Sequence, residues 1–432
     1  MYPIKISKVI ALTLLILMSS TYAVCQSPQS NQEEDYKNLE IFTDVLALIR
    51  NSYVEEVNTQ DLVYGAIDGM LKTLDPHSSF LTPEMYEDMQ ADTHGEFGGL
   101  GIEITIKDHA LIVVSPIEDT PAYHAGIKAG DRIVKINEQL TQEIEIMQAV
   151  RLMRGPQGEA VTLTIERPGE KDLLVFNIVR DIIQIESVKS RLLEDVYGYV
   201  RISQFQDRTA QDLQSHLNGI RSDDTDGLAG LILDLRNNPG GLLDQAVDVA
   251  DLFLSEGLIV YTEGRDNEAQ LKFTAKKAET EPDYPLIVLI NGGSASAAEI
   301  VAGALQDHDR AIVLGEQSFG KGSVQTIIPL GDASGLRLTT ARYFTPSGRS
   351  IQARGITPDI RVPSTLSQST EVSAPMREKD LTNHFEALPG KQKQQTENTS
   401  EAIEKAEDNQ LNRAIEILKG FEILRRSTKK AA

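Results

Sequence analysis

The chain has 432 residues, too many for one ordinary core, which predicts two or three domains with appendages. A hydrophobic share of 41% and a charged share of 25% fit a globular protein, and a formal net charge of −22 argues against nucleic acid as a partner. The absence of Trp and the 5% aromatic content weaken any case for carbohydrate or base stacking, and a single cysteine, Cys25, excludes an intramolecular disulfide.

Residues 1–25 read as a signal peptide or N-terminal anchor. Lys5 and Lys8 precede an apolar run from Val9 to Met18, followed by small residues up to Ala23, after which cleavage is expected. The chain is therefore expected in the periplasm or cell envelope. The sequence Tyr22-Ala23-Val24-Cys25 is a poor lipobox. Residues 26–94 read as a polar linker, Gln26–Asp35, and N-terminal helices. Leu39–Val54 and Asp61–Leu71 each place apolar residues on one face, and another helix starts near Glu84. Beside Pro76, His77 and its neighbouring serines read as a turn and helix cap rather than as chemistry.

Residues 95–182 form the next unit. Gly98-Gly99-Leu100-Gly101-Ile102 is followed by a strand at Leu111–Ser115 and by Ala125-Gly126-Ile127-Lys128-Ala129-Gly130-Asp131-Arg132-Ile133. A helix from about Gln142 to Met153 and strands near 161–166 and 174–179 complete it. This pattern resembles a PDZ domain. The resemblance implies that backbone N–H groups of Gly98 to Ile102 hold a peptide's terminal carboxylate while the next strand pairs with the peptide. Arg154 reads as a sensor of ligand or catalytic domain, or as a charge complementing the helix end.

From 183 to 362 strands and helices alternate, which predicts an α/β layer with part of the sheet parallel. Tyr197–Ile202 reads as a strand, Thr209–Ile220 as a helix, Leu228–Leu235 as a buried strand, Leu242–Leu254 as a helix and Leu258–Thr262 as a strand. The turn Arg236-Asn237-Asn238-Pro239-Gly240-Gly241 lies beyond the carboxyl end of a strand, where such sheets place their sites. So does the turn Asn291–Ser296, between the apolar run Pro285–Ile290 and a helix from Ala297 to Leu305. Taken alone, this turn is either a tight turn with an N-cap serine or a nucleophile aimed at a helix N-terminus. A third strand, Ala311–Gly315, leads to Lys321 between Gly320 and Gly322. A lysine held in an apolar site is depressed in pKa and can act as a base.

Gly293-Ser294-Ala295-Ser296-Ala297-x-Glu299-Ile300 and Gly315-Glu316-x-x-Phe319-Gly320-Lys321-Gly322-x-Val324-Gln325 closely resemble the carboxyl-terminal processing (tail-specific) proteases, Ser/Lys-dyad serine peptidases with an embedded PDZ domain. The resemblance implies Ser296 as nucleophile, Lys321 as base and Gln325 as the residue orienting the lysine. In a straight strand positions four apart lie roughly 13 Å from one another, so a Lys321–Gln325 contact needs a bend, for which Gly322 is available. The resemblance also assigns the oxyanion hole to Ala297 N–H with that of Gly240 or Gly241. It extends through a strand at Leu336–Tyr343 and the runs Phe344–Gln352 and Gly355–Ile360. The fold class expected is an α/β catalytic core of ClpP/crotonase-like ββα layers, with an inserted PDZ domain and an N-terminal helical region.

Beyond residue 362 the composition turns polar and predicts a mobile tail, 363–432, with a short amphipathic helix at 414–424. No metal or cofactor is expected, because the seven histidines include no HExxH pair. The expected partners are protein or peptide substrates with free apolar C-termini, and the resemblance leaves room for an adaptor or lipoprotein activator and for a homo-oligomer. Three other readings stay open. One is a Ser-His-Asp hydrolase, although the turn is Ser294-Ala295-Ser296-Ala297-Ala298 rather than Gly-x-Ser-x-Gly and His308 sits at a helix end. Another is a catalytically silent PDZ scaffold or peptide-binding adaptor of the envelope. The third is a crotonase-like acyl-CoA enzyme, which export and the PDZ unit disfavour.

Overall fold

The computed structural model describes residues 29–107, 110–221, 227–265, 270–276, 280–364, 376–386 and 408–431. The expected leader and Cys25 lie outside these residues. The described residues up to Met70 and those from Leu71 onward form two compact units. In the first, α1 (Gln29–Ser52) begins inside the expected linker, because its Gln, Asn and Glu residues bring no helix breaker. Helix α2 (Thr59–Lys72) follows.

The second unit opens with β1 (Ser79–Leu81) and α3 (Pro83–His94). Thr82 caps α3 by accepting from Met85 N, Pro83 opens its first turn, and Gly95 ends it at φ 74°. Next come β2 (Glu96–Gly99), β3 (Ile102–Lys107), β4 (Ala110–Pro116), α4 (Pro121–Ala125), β5 (Arg132–Ile136) and β6 (Gln139–Leu140). They are followed by α5 (Ile146–Met153), β7 (Ala160–Glu166), β8 (Leu174–Val179) and β9 (Asp181–Gln184). The helix expected from Gln142 is broken: a 3-10 turn at Thr141–Glu143 precedes α5. The sheet runs β3-β4-β5-β7-β8 around Val113, Ile133, Leu163 and Ile165. Its entry and exit strands, β2 and β9, pair antiparallel with each other. Arg154 does more than face a helix end: it pairs with Asp88 of α3 at 3.1 Å and stands 4.4 Å over the Phe97 ring.

The remainder comprises β10 (Val188–Leu193), β11 (Tyr197–Ile202), α6 (Thr209–Ile220), β12 (Gly230–Asp234), α7 (Leu243–Asp251), β13 (Leu258–Gly264) and β14 (Leu271–Thr274). It continues with β15 (Leu286–Ile290), α8 (Ala297–Asp307), β16 (Ile312–Gly315), β17 (Ser323–Pro329), β18 (Gly335–Phe344), β19 (Ile360–Arg361) and α9 (Asn409–Ala431). A six-stranded sheet has the order β10-β11-β12-β15-β16-β19, parallel except for the β10–β11 pair. A five-stranded antiparallel sheet gathers β1, β17, β13 and β14 around β18.

A mostly parallel sheet has to be covered on both faces, and the residues of β12 alternate accordingly. Leu231 and Leu233 join a core with Leu213, Val249 and Val301 from α6, α7 and α8. Ile232, with Ile287, Leu289 and Leu314, packs against Ala414 and Leu418 of α9. The expected short helix at 414–424 is thus a helix from Asn409 to Ala431 with its apolar stripe docked, and only part of the polar stretch was legible as structure. Leu418→Ala empties a site that is fully buried, so it costs about 2–4 kcal/mol of stability, read as a lower unfolding midpoint.

Candidate active site

Three parallel strands, β12, β15 and β16, end side by side, and their following turns are stitched together. Ser294 Oγ donates to Leu235 O at 2.7 Å and Ala295 N to Asn238 O at 2.9 Å. Asn291 Oδ1 accepts from Asn237 N at 2.9 Å, and Phe319 N donates to Ser294 O at 3.0 Å. Glycine is required here by close approach. A methyl on Gly240 would stand 2.8 Å from Ser296 Cβ, and one on Gly241 only 2.0 Å from Phe205 O.

Ser296 caps α8 with φ 52° and ψ −113°, a conformation that non-glycine residues avoid at a cost of about 1–3 kcal/mol. The strain is held by Glu299, one turn along the helix and fully buried. Its Oε2 accepts from Ser296 N at 2.8 Å and from Lys321 N at 2.9 Å. Its Oε1 accepts from Ser318 Oγ at 2.5 Å and from Gly320 N at 2.8 Å. Burial pushes this carboxyl up to about 7 while the donors from Ser318, Ser296, Gly320 and Lys321 pull it down. One oxygen atom therefore ties the backbone of Ser296 to that of Lys321, residues brought together from two different turns.

The Lys321 pKa is lowered from the ordinary lysine value, first through burial and then through the Arg337 charge, against the attraction of Glu378, Glu299 and Asp75. Among the described residues its ammonium nitrogen makes no hydrogen bond to Ser296 or to Gln325. The Ser296 hydroxyl instead faces Tyr343, whose phenol burial raises to about 12. Tyr343 N is bonded to Gly322 O at 2.7 Å, which ties β18 to the lysine loop. Gln325 sits on β17, where the register shifts between Val324 and Gln325. Its amide nitrogen donates to Thr339 Oγ1 at 2.8 Å, and its Oε1 is buried with no partner.

In the turn Pro239-Gly240-Gly241, Gly240 N donates to Asn238 Oδ1 at 2.9 Å, so that donor is already used. The N–H groups of Gly241 and Ala297 have no acceptor among the described residues. Behind the turn Arg236 pairs with Asp234 at 2.6 Å and with Asp408, just before α9, at 2.7 Å. In the region that resembles a PDZ domain, Gly98 and Gly99 end β2, Leu100 is buried in that region's core, and Gly101 turns at φ 76°. Ile102 starts β3, whose outer edge pairs with no other strand among the described residues. The N–H groups of Leu100 and Gly101 are likewise without an acceptor there. His308 ends α8 with Nε2 at 2.7 Å from Leu258 O, a structural bond far from chemistry.

The sequence reading passed over several residues at this site. Glu299 carried a signal, since Ser-x-x-Glu ahead of an apolar run is a capping box. Tyr343, Arg236 and Asp408 carried none beyond their residue type. His77 lies in the expected turn, its N bonded to Asp75 Oδ1, and its ring also reaches a carboxylate: Nε2 donates to Glu378 at 2.8 Å. No cluster of His, Cys, Asp and Glu with metal-binding geometry occurs among the described residues. Glu299→Gln leaves two of the four donors without an acceptor, so we expect a loss of about 2–5 kcal/mol in stability, read by denaturant unfolding, together with a fall in peptide cleavage.

Residues 196–362 match peptidase family S41, residues 112–167 a PDZ domain, and residues 14–85 the "Activating protease CtpB N-terminal domain". The chain is 48% identical over 412 residues to the carboxy-terminal-processing protease of Bartonella bacilliformis, covering 94% of each chain. It is 39% identical over 336 residues to the carboxyl-terminal-processing protease of a Synechocystis species, covering 76% of this chain and 78% of that one. Among solved structures, the photosystem II D1 C-terminal processing protease matches with 29% identity and a TM-score of 0.44, covering 74% of this chain and 92% of that one. On these matches the chain belongs to the carboxy-terminal-processing proteases, the PDZ-bearing serine peptidases of family S41.

Proposed function

We propose that this is an exported endopeptidase that takes hold of a substrate's C-terminal tail with its PDZ domain and cuts it with a Ser296–Lys321 dyad. The observation that carries the dyad is the single Glu299 oxygen shared by the two backbone N–H groups, which fixes nucleophile and base to one point. Neutral Lys321 takes the proton of Ser296 as its Oγ attacks the peptide carbonyl, and the resulting ammonium protonates the leaving amine. Water then hydrolyses the acyl-enzyme by the reverse proton path.

The oxyanion that forms at each stage is met by Ala297 N–H at the start of α8 and by Gly241 N–H, the free donor of the Pro-Gly-Gly turn. Gln325 Oε1, buried and unpartnered, is the acceptor that orients the lysine once it turns toward Ser296. The conformation described, with Ser296 facing Tyr343, precedes that turn. Tail binding through Leu100 and Gly101 N–H groups and strand addition along β3 is the event that favours it.

Lys5, Lys8 and the apolar run after them support the export part of this reading, with the periplasm or envelope as destination. Activation by an adaptor or lipoprotein and assembly into a homo-oligomer complete the proposal.

The test uses an unstructured peptide with an apolar C-terminus. Ser296→Ala and Lys321→Ala each abolish cleavage, whereas amidating the peptide's terminal carboxylate raises KM; cleavage by the Lys321 variant at the wild-type rate rejects the dyad. Activity rises with pH through the Lys321 pKa, because the base must be neutral, and that limb lies below the unfolded value of 10.5. Between those two pH values the unfolded chain binds the extra proton, so stability grows as pH rises across the window. Lys321→Met removes that slope, which urea unfolding at several pH values reads directly.

A further inference from the structure

We infer that His77 and Glu378 form a second buried clamp on the Lys321 loop, and that both are positioning residues of the active site. Neither lies within the 183–362 stretch that the sequence marks as catalytic. Glu378 is fully buried in a 3-10 turn, Glu378–Asp380. His77 Nε2 donates to its two oxygens at 2.9 and 2.8 Å, and Gln352 Nε2 donates to Oε1 at 2.8 Å. Gln352 Oε1 in turn accepts from Gly322 N at 3.0 Å, and Glu378 N donates to Phe319 O at 3.3 Å. The backbone on both sides of Lys321 therefore hangs on Glu378, at Phe319 directly and at Gly322 through Gln352.

The same loop reaches Gln325. Asp75, almost fully buried, accepts from His77 N at 2.8 Å, from Ser78 N at 2.9 Å and from Ser78 Oγ at 2.6 Å. It also accepts from Thr339 Oγ1 at 3.1 Å, the atom that holds Gln325 Nε2 at 2.8 Å. Asp75-Pro76-His77-Ser78 thus governs the lysine loop by one chain of hydrogen bonds and the Gln325 amide by another. A buried carboxylate is tolerated only when its donors are fixed, so the clamp is rigid or it fails. The charges facing Lys321 are Glu378, Glu299, Asp75 and Arg337. Those bonded to His77 are Glu378 and, through Arg337 Nε to His77 O at 3.1 Å, Arg337.

The inference rests on Lys321 as the base, and the experiment separates the two. The full chain is assayed on the unstructured peptide across pH as wild type, His77→Gln, Glu378→Gln, Gln352→Met and Lys321→Ala. For His77→Gln and Glu378→Gln we expect kcat to fall about tenfold or more with KM within about twofold, the mark of lost positioning rather than lost binding. The acid limb moves down in pH for Glu378→Gln, which removes an anion that favours the Lys321 ammonium. A merely structural pair moves stability and leaves the limb in place. Gln352→Met cuts the relay to Gly322 without touching the Glu378 charge, and lowers kcat with the limb unmoved; it keeps the test sharp should Glu378→Gln fail to fold. Wild-type kcat in Gln352→Met, or an acid limb at the wild-type pH in a folded Glu378→Gln, overturns the clamp. Full activity of Lys321→Ala instead overturns the base assignment beneath it.

Discussion

The site depends on one carboxylate placed where no water reaches it. Burying an ionised Glu costs several kcal/mol, and Glu299 offsets that cost only by using both oxygens twice. Its position in the first turn of α8 adds the favourable field of the helix N-terminus. Because the donors come from Ser296 on one turn and from Ser318, Gly320 and Lys321 on another, satisfying Glu299 and assembling the two turns are the same event. The strained backbone of Ser296 persists for that reason: relaxing it would take from a buried oxygen one of its two donors.

The large sheet shows the same economy of means at a larger scale. Its parallel strands bring three turns to one edge, and that arrangement is stable only if both faces are dry. Helices α6, α7 and α8 cover one face, and α9, from the far end of the chain, covers the other. Arg236 joins that helix's start to the 236–241 turn through Asp408 and Asp234, so the covering of the sheet and the shape of the site share one guanidinium.

The PDZ region is also bonded to the site's periphery. Ile185 N donates to Gly95 O at 2.8 Å where the chain enters and leaves that region. Gln206 Nε2 donates to Asp92 O at 3.2 Å, and the adjacent Phe205 N donates to Gly240 O at 2.9 Å. A short loop thereby touches the end of α3 on one side and the 236–241 turn on the other.

Local signals in the sequence determined much of this. Apolar runs of strand length at 197–202, 285–290 and 311–315, glycine turns after them, and amphipathic spacing at 209–220 yield the elements and the order of the site's turns, because each depends on residues a few positions apart. The motifs at 293–300 and 315–325 pointed to Ser296 and Lys321, and the structure joins the backbones of these two residues through Glu299. Tertiary structure alone decided the rest. Whether Gly240 or Gly241 keeps a free N–H depends on the Asn238 side chain, and the polar segment near 378 becomes structure only because His77, 301 residues away, meets Glu378. No periodicity encodes such a pairing; a buried charge finds its partner through the fold, and its cost is set by whatever the folded chain brings beside it.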